Sequence, residues 1–187
     1  MFEYIQIPER EIVRDVSYLF LTISPALAAA FLIILLGPSV YLPVSAVLLN
    51  YYFAVGVGWV TSPLVGLAAG MKPWLLVILL VFIAVQSSFF VTVNYDLLEK
   101  IPLLGRLFLR TRKKAERVID KHELAKDISY IGIFWLMFLP VFGTGPMVMS
   151  LVGRILALQW WKVWLTISLS AVVRYSLVVI VVYYGLF

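Results

Sequence analysis

Two stretches, Thr61-Ser-Pro-Leu-Val-Gly-Leu-Ala-Ala-Gly70 and Thr144-Gly-Pro-Met-Val-Met-Ser-Leu-Val-Gly153, share the pattern T-x-P-(L/M)-V-x-x-x-x-G. Each interrupts an apolar run that otherwise reads as membrane-spanning. Proline lacks the N–H that a helix interior uses and clashes with the preceding turn, so its presence beside Gly, Thr or Ser marks a broken helix. The surroundings recur as well. Tyr51, Tyr52, Phe53 and Trp59 precede the first break, as Phe134, Trp135, Phe138 and Phe142 precede the second. A short apolar arm, a tryptophan (Trp74 or Trp160) and a long apolar helix follow each one, the pattern of an internal duplication.

Composition sets the solvent. Of the 187 residues, 63% are hydrophobic and 13% charged, well beyond the roughly 45–50% apolar content of a soluble domain. Runs such as Ala28–Leu36 and Trp74–Val85 are apolar on every face, which favours spanning helices over the in-out alternation of a membrane barrel. The chain has no cysteine, so disulfides and thiolate metal sites are excluded. No cofactor is expected: His122 is the only histidine, lies in a charged stretch and reads as a solvated loop residue. The N-terminal residues, with Glu3, Glu9, Arg10, Glu11, Arg14 and Asp15, lack a signal peptide's basic start and are expected to be retained.

The expected fold is an all-α integral membrane domain over 1–187. An N-terminal helix occupies 1–37, repeat one 40–95, a basic connection 96–127 and repeat two 128–187. Nine of the fifteen Lys and Arg residues lie between Lys100 and Lys126, which predicts a cytoplasmic connection in the plasma membrane and attraction to anionic headgroups. A nucleic-acid patch is the weaker reading, because aromatic stacking residues beyond Phe108 are missing there. The predicted long runs are Ser17–Leu36, Trp74–Val93 and Trp161–Tyr184. Leu64–Gly70 and Met147–Leu158 fall short of the about 20 residues a crossing requires. They read as half-helices of re-entrant hairpins whose tips carry the Thr, Gly and Pro residues, in two inverted repeats. Tyr41–Val60 as a full crossing is the alternative, and it would reverse the N-terminus.

Polar groups inside the apolar runs are few. Arg174 lies near the middle of the last one, where a charge costs roughly 2.5–3.5 kcal/mol on insertion scales, and so calls for a partner or a cavity. A phosphate-like anion is one such partner. Superposing the two final helices on Trp74 and Trp160 sets Ser88 opposite Arg174. The candidate binding residues are therefore Arg174, Ser88, Thr61, Ser62, Pro63, Pro140, Gly143, Thr144, Gly145 and Pro146, with Asp96 as the ion-coupling candidate. Gln86, Ser87, Asn94 and Asn50 could extend a polar path. The competing reading is structural: Gly70 and Gly153 permit close packing and the prolines turn the chain. Without a nucleophile–His–acid set, an HExxH or a Walker loop, an enzyme is not expected.

Phe138-Leu-Pro-Val-Phe-Gly-Thr-Gly-Pro146, behind a basic connection and ahead of a long terminal helix, resembles the small multidrug export family, whose second half carries P-x-x-G-T-G. Pro140, Gly143, Thr144 and Gly145 match it. The resemblance covers roughly 60–187 and extends more faintly to the DedA superfamily. That superfamily implies paired re-entrant hairpins and lipid-carrier or phospholipid translocation. Two departures are Ser62-Pro63 where DedA proteins have a first-hairpin acid, and Phe138-Leu139 where they have arginines before the proline. The functional expectation is translocation of a lipid or lipid-linked anion. Ion-coupled multidrug export and a non-transporting assembly role are the alternatives. Expected partners are membrane lipids and an amphipathic or lipid-linked anionic substrate, with self-association open and nucleic acid excluded.

Overall fold

The computed structural model describes residues 9–35, 37–54, 57–99, 123–139 and 144–186, all helical apart from short connections. In chain order the helices are α1 (Glu9–Leu35), α2 (Pro38–Phe53), α3 (Gly58–Ala68), α4 (Pro73–Val93), α5 (Tyr95–Glu99), α6 (Glu123–Phe138), α7 (Pro146–Ile155) and α8 (Trp160–Leu186). Three segments are long and apolar enough to cross a membrane: Val16–Leu35, Pro73–Val93 and Trp160–Gly185. The basic connection from 100 to 122, including His122, lies outside the described residues, as do Pro140 and Gly143.

Helices α4 and α8 form the centre; α1, α3, α6 and α7 each pack on one or both of them, and α2 packs on α3 and α1. They run antiparallel: Phe89 stacks edge-on with Trp160 and Trp164, and Trp164 Nε1 donates to the Val85 carbonyl at 3.2 Å. Towards the other end, Trp74 and Val77 share a cavity wall with Val179 and Tyr183. Leu76, Leu80 and Ala84 on α4, and Val163, Ile167 and Ala171 on α8, are completely buried at intervals of about one turn. The lipid-side faces are equally apolar, with Ile78, Leu169 and Val181 more than half exposed. What distinguishes the buried faces is small and hydroxylic residues: Ala84, Ser87, Ser88 and Thr92 on α4, Ser170 and Ala171 on α8. Such side chains let helices approach where lipid supplies no hydrophobic drive towards association.

Helices α2 and α3 fold back on each other, as do α6 and α7. At 11 and 10 residues, α3 and α7 are only about 15–17 Å long, against a hydrocarbon core of about 30 Å. The second break falls where Pro140–Pro146 predicts it, and Pro146 opens α7 at its first turn, where a missing N–H costs nothing. The first break differs. The chain turns at Ala54–Val57, and Thr61, Ser62 and Pro63 lie inside α3 rather than at a tip. Asn50 explains the shift: its side-chain amide donates to the Gly58 carbonyl, Thr61 Oγ1 and Ser62 Oγ at 3.2, 2.7 and 3.0 Å, tying the start of α3 to α2.

The two short helices end alike. Met71 N–H donates to Gly66 O at 3.0 Å and Leu158 N–H to Gly153 O at 3.1 Å, with Gly70 (φ 80°) and Ala157 (φ 57°) in the left-handed region between them. This closure satisfies carbonyls that a helix end leaves free. The equivalent residues are 87 positions apart, so the bonded register pairs Gly66 with Gly153 and differs from the T-x-P register by one helical turn. Gly70 turns the chain; Gly153 and Gly66 pack. A Cβ on Gly153 would meet the Val163 methyls at 2.6 and 2.8 Å, and one on Gly66 would overlap Leu76. The same register sets Ser87 opposite Arg174 in place of Ser88.

Gly153→Val is expected to destabilise the detergent-solubilised protein by about 1–3 kcal/mol, since it drives a side chain into Val163. Gly132→Ala, where a Cβ meets nothing, is expected to leave the unfolding midpoint unchanged. Ala157→Gly relieves the left-handed backbone and should stabilise by about 1 kcal/mol. Thermal unfolding of the three variants checks all three signs.

Candidate functional site: an arginine between two broken helices

Arg174, on the face of α8 turned to the protein interior, is 2% exposed. Its Nη1 donates to the Met137 carbonyl at 2.5 Å, in the last turn of α6, where carbonyls lack helical partners. Its guanidinium carbon lies 3.3 Å from the centre of the Trp59 ring, at the start of α3. Stacking on an indole face stabilises a desolvated cation by about 2 kcal/mol. The Trp59 ring in turn covers Gly145, where a Cβ would sit 3.2 Å from Trp59 Cδ1. One buried charge therefore joins the final helix, the start of the first short helix and both sides of the second break.

The polar groups left over at this junction have a common character. Arg174 Nη2 and Trp59 Nε1 are buried without a hydrogen-bond partner, and both can only donate. The hydroxyls of Tyr51 and Tyr175 are buried beside each other and near enough to Arg174 to interact with it electrostatically. No described carboxylate pairs with Arg174. The N-terminal ends of α3 and α7 meet here as well, adding partial positive charge. The result is an electropositive, donor-rich interior.

The other sequence candidates divide around this junction. Thr144 is 7% exposed and donates to the Leu139 carbonyl at 3.3 Å; Gly145 and Pro146, both buried, open α7 beside Trp59. Ser62 is completely buried, its hydroxyl bonded to the Gly58 carbonyl at 2.6 Å; Thr61 Oγ1 accepts from Asn50, and Pro63 packs inside α3. Ser88 accepts from Ser150 Oγ at 2.8 Å, an α4–α7 tie. Ser87, at the position equivalent to Arg174, bonds the Tyr52 hydroxyl at 3.1 Å. Asp96 stands apart. Its side chain is 74% exposed and pairs with Arg154 Nη2 at 3.3 Å. Gln86 and Asn94 reach Thr22 on α1, the latter at 2.9 Å.

Trp59, Tyr51 and Tyr175 were not legible as site residues among so many aromatics. The available signal was the arginine itself, which lacks an acidic partner in the spans and so requires ring faces and carbonyls. Three cavities of about 480, 260 and 200 Å³ are lined by described residues, and none of them is lined by Arg174.

Three spanning helices, two pairs of broken arms and a buried arginine at their junction define a polytopic, all-helical integral membrane protein. Residues 53–177, two thirds of the chain, match the family described as "Putative small multi-drug export protein", and the chain belongs to that family. No curated protein and no solved structure matches it.

Replacing Arg174 by Met keeps most of the volume and removes the buried charge. Stability is expected to stay within about 1 kcal/mol of wild type, the relief of a desolvated charge offsetting the orphaned Met137 carbonyl, whereas Arg174→Ala orphans the same carbonyl and leaves a cavity as well, and should cost about 2–4 kcal/mol. Unfolding midpoints of the two variants in one detergent separate the volume contribution from that of charge.

Proposed function

We propose that the protein is a membrane transporter-like carrier in which Arg174 is the anchor for an oxyanion, with a lipid or lipid-linked phosphate as the substrate class. The observation that carries this reading is the set of unpaired buried donors around Arg174, with no carboxylate among the described residues beside it. Such a set favours phosphate over a cation.

In this reading the antiparallel α4 and α8, each preceded by a hairpin with the same closing turn, are the long helices of two inverted repeats. Hairpins α2–α3 and α6–α7 enter from opposite sides and meet at Trp59 and Gly145. Broken helices meeting near the bilayer midplane are a recurring transporter arrangement, because their N-termini present partial charge to a substrate anion. None of the three cavities is lined by Arg174, so in this reading substrate reaches it when the α2–α3 hairpin carries the stacked Trp59 ring aside. The connection 96–127 is cytoplasmic in the plasma membrane, and the arrangement is akin to that of the DedA superfamily. The protein is not an enzyme and uses no cofactor.

The family description favours a second reading, ion-coupled export of small amphipathic drugs with Asp96 as the coupling acid. Its pairing with Arg154 and its distance in sequence from the Arg174 helix make the two readings separable by mutation.

Reconstitution into proteoliposomes with a fluorescent phospholipid and a polyprenyl phosphate tests the first reading. Wild type is expected to move at least one of them. Arg174→Met should lower the rate about tenfold or more while keeping its unfolding midpoint, and Thr61→Val with Thr144→Val should lower it less. Undiminished flux in Arg174→Met would sink the oxyanion reading. Loss of drug resistance in Asp96→Asn, with lipid flux intact, would establish the second.

A further inference from the structure

A second polar feature lies far along α4 and α8 from the Trp74–Tyr183 end. The 260 Å³ cavity there has Phe89, Thr92 and Trp160 as its wall, Asp96 and Arg154 at its polar end, and Tyr18 of α1 on its open side. Its position is set by a polar clamp, since Asn94 Nδ2 bonds Thr22 Oγ1 at 2.9 Å and Gln86 bonds the Thr22 carbonyl. Tyr18 lies one turn before Thr22, and its own carbonyl accepts from Thr22 Oγ1 at 2.9 Å. The clamp therefore holds α1 over the cavity although α1 is otherwise almost wholly exposed.

The polar end carries both signs of charge. Arg154 Nη2 faces Asp96 at 3.3 Å, its guanidinium carbon lies 5.1 Å from the centre of the Tyr95 ring, and its Nε is buried with no partner. The Arg154 side chain is 17% exposed and that of Asp96 74%, so the cation is fixed and the anion reaches outward. The wall carries the rings of Tyr18, Phe89 and Trp160, and its Leu21 is 59% exposed. Trp160, Trp161 and Lys162 beside Tyr130 mark this level as the membrane–water interface, where tryptophans and snorkelling lysines collect.

We infer that this cavity is a headgroup site for a zwitterionic, amine-bearing phospholipid, distinct from the Arg174 junction. The phosphate sits on the Arg154 guanidinium, and the ammonium sits on the outward carboxylate of Asp96. The glycerol and first acyl carbons lie along Phe89 and Trp160, and the chains leave between α1 and α8. A cavity of this volume admits a headgroup and not a whole lipid. The order of charges matches an ethanolamine phospholipid, with phosphate deeper along the wall and amine towards water. An anionic lipid such as phosphatidylglycerol would satisfy Arg154 but bring a second acceptor against Asp96.

Purified protein in a non-ionic detergent is titrated with dihexanoyl phosphatidylethanolamine and dihexanoyl phosphatidylglycerol, with glycerophosphoethanolamine as a competitor, and bound lipid is counted by native mass spectrometry. Wild type is expected to retain one phosphatidylethanolamine per chain at about tenfold lower concentration than phosphatidylglycerol, the equivalent of one charge-assisted hydrogen bond. Asp96→Asn, at an exposed position that leaves the fold intact, should erase that preference. Arg154→Gln should weaken retention of both lipids by about tenfold. Equal retention of the two lipids by wild type, or a preference unchanged in Asp96→Asn, overturns the assignment. Competition by glycerophosphoethanolamine as effective as the lipid itself would show a soluble headgroup site instead and overturn it equally.

Discussion

A guanidinium buried inside a membrane helix has to be satisfied by whatever the protein can bring to it, because lipid offers neither counter-charge nor hydrogen bonds. Arg174 meets that requirement with an indole face and a helix-end carbonyl, Trp59 and Met137. Both partners exist only because helices are broken. An uninterrupted α6 would have consumed the Met137 carbonyl in its own ladder, and an uninterrupted α2–α3 would have carried Trp59 past the junction. The breaks and the charge thus require one another, and the packing of both short arms against α4 and α8 follows from their meeting.

The two halves solve the same local problem with different side chains. In the first, Asn50 ties the start of α3 to α2 and the hydroxyls of Thr61 and Ser62 are consumed in that tie. In the second, the corresponding region turns to Arg174, and Thr144 bonds back to Leu139. Both short helices nevertheless end in the same left-handed closure, with a glycine one turn earlier packed against a long helix. Gly66 against Leu76 and Gly153 against Val163 are the contacts that set the spacing of each short helix from its long one. These backbone contacts are alike in the two halves while the polar groups around them differ.

The electrostatics divide the molecule by depth. At the junction, donors and helix N-termini gather around a cation that no described carboxylate neutralises. At the other end of the long helices Asp96 and Arg154 pair beside Trp160, so both signs of charge meet there. One chain thus carries two kinds of polar environment, and the long helices α4 and α8 set the distance between them.

The membrane class, the three long helices and the second break at Pro140–Pro146 were legible in the sequence alone. Hydropathy over twenty residues and the missing N–H of proline are local properties that survive any packing. The intramembrane arginine was equally plain as a residue in need of a partner. Tertiary structure decided the rest. It moved the first break ahead of Thr61, because Asn50 gathers Gly58, Thr61 and Ser62 into one helix start across the hairpin. It set the likeness of the two short helices one turn away from the T-x-P alignment, because Gly66 and not Gly70 meets the long helix. It chose Trp59 and the Met137 carbonyl for Arg174. In a bilayer the lipid-facing and protein-facing sides of a helix are equally apolar, so periodicity cannot say which aromatic turns inward. Only the approach of one helix to another makes that choice.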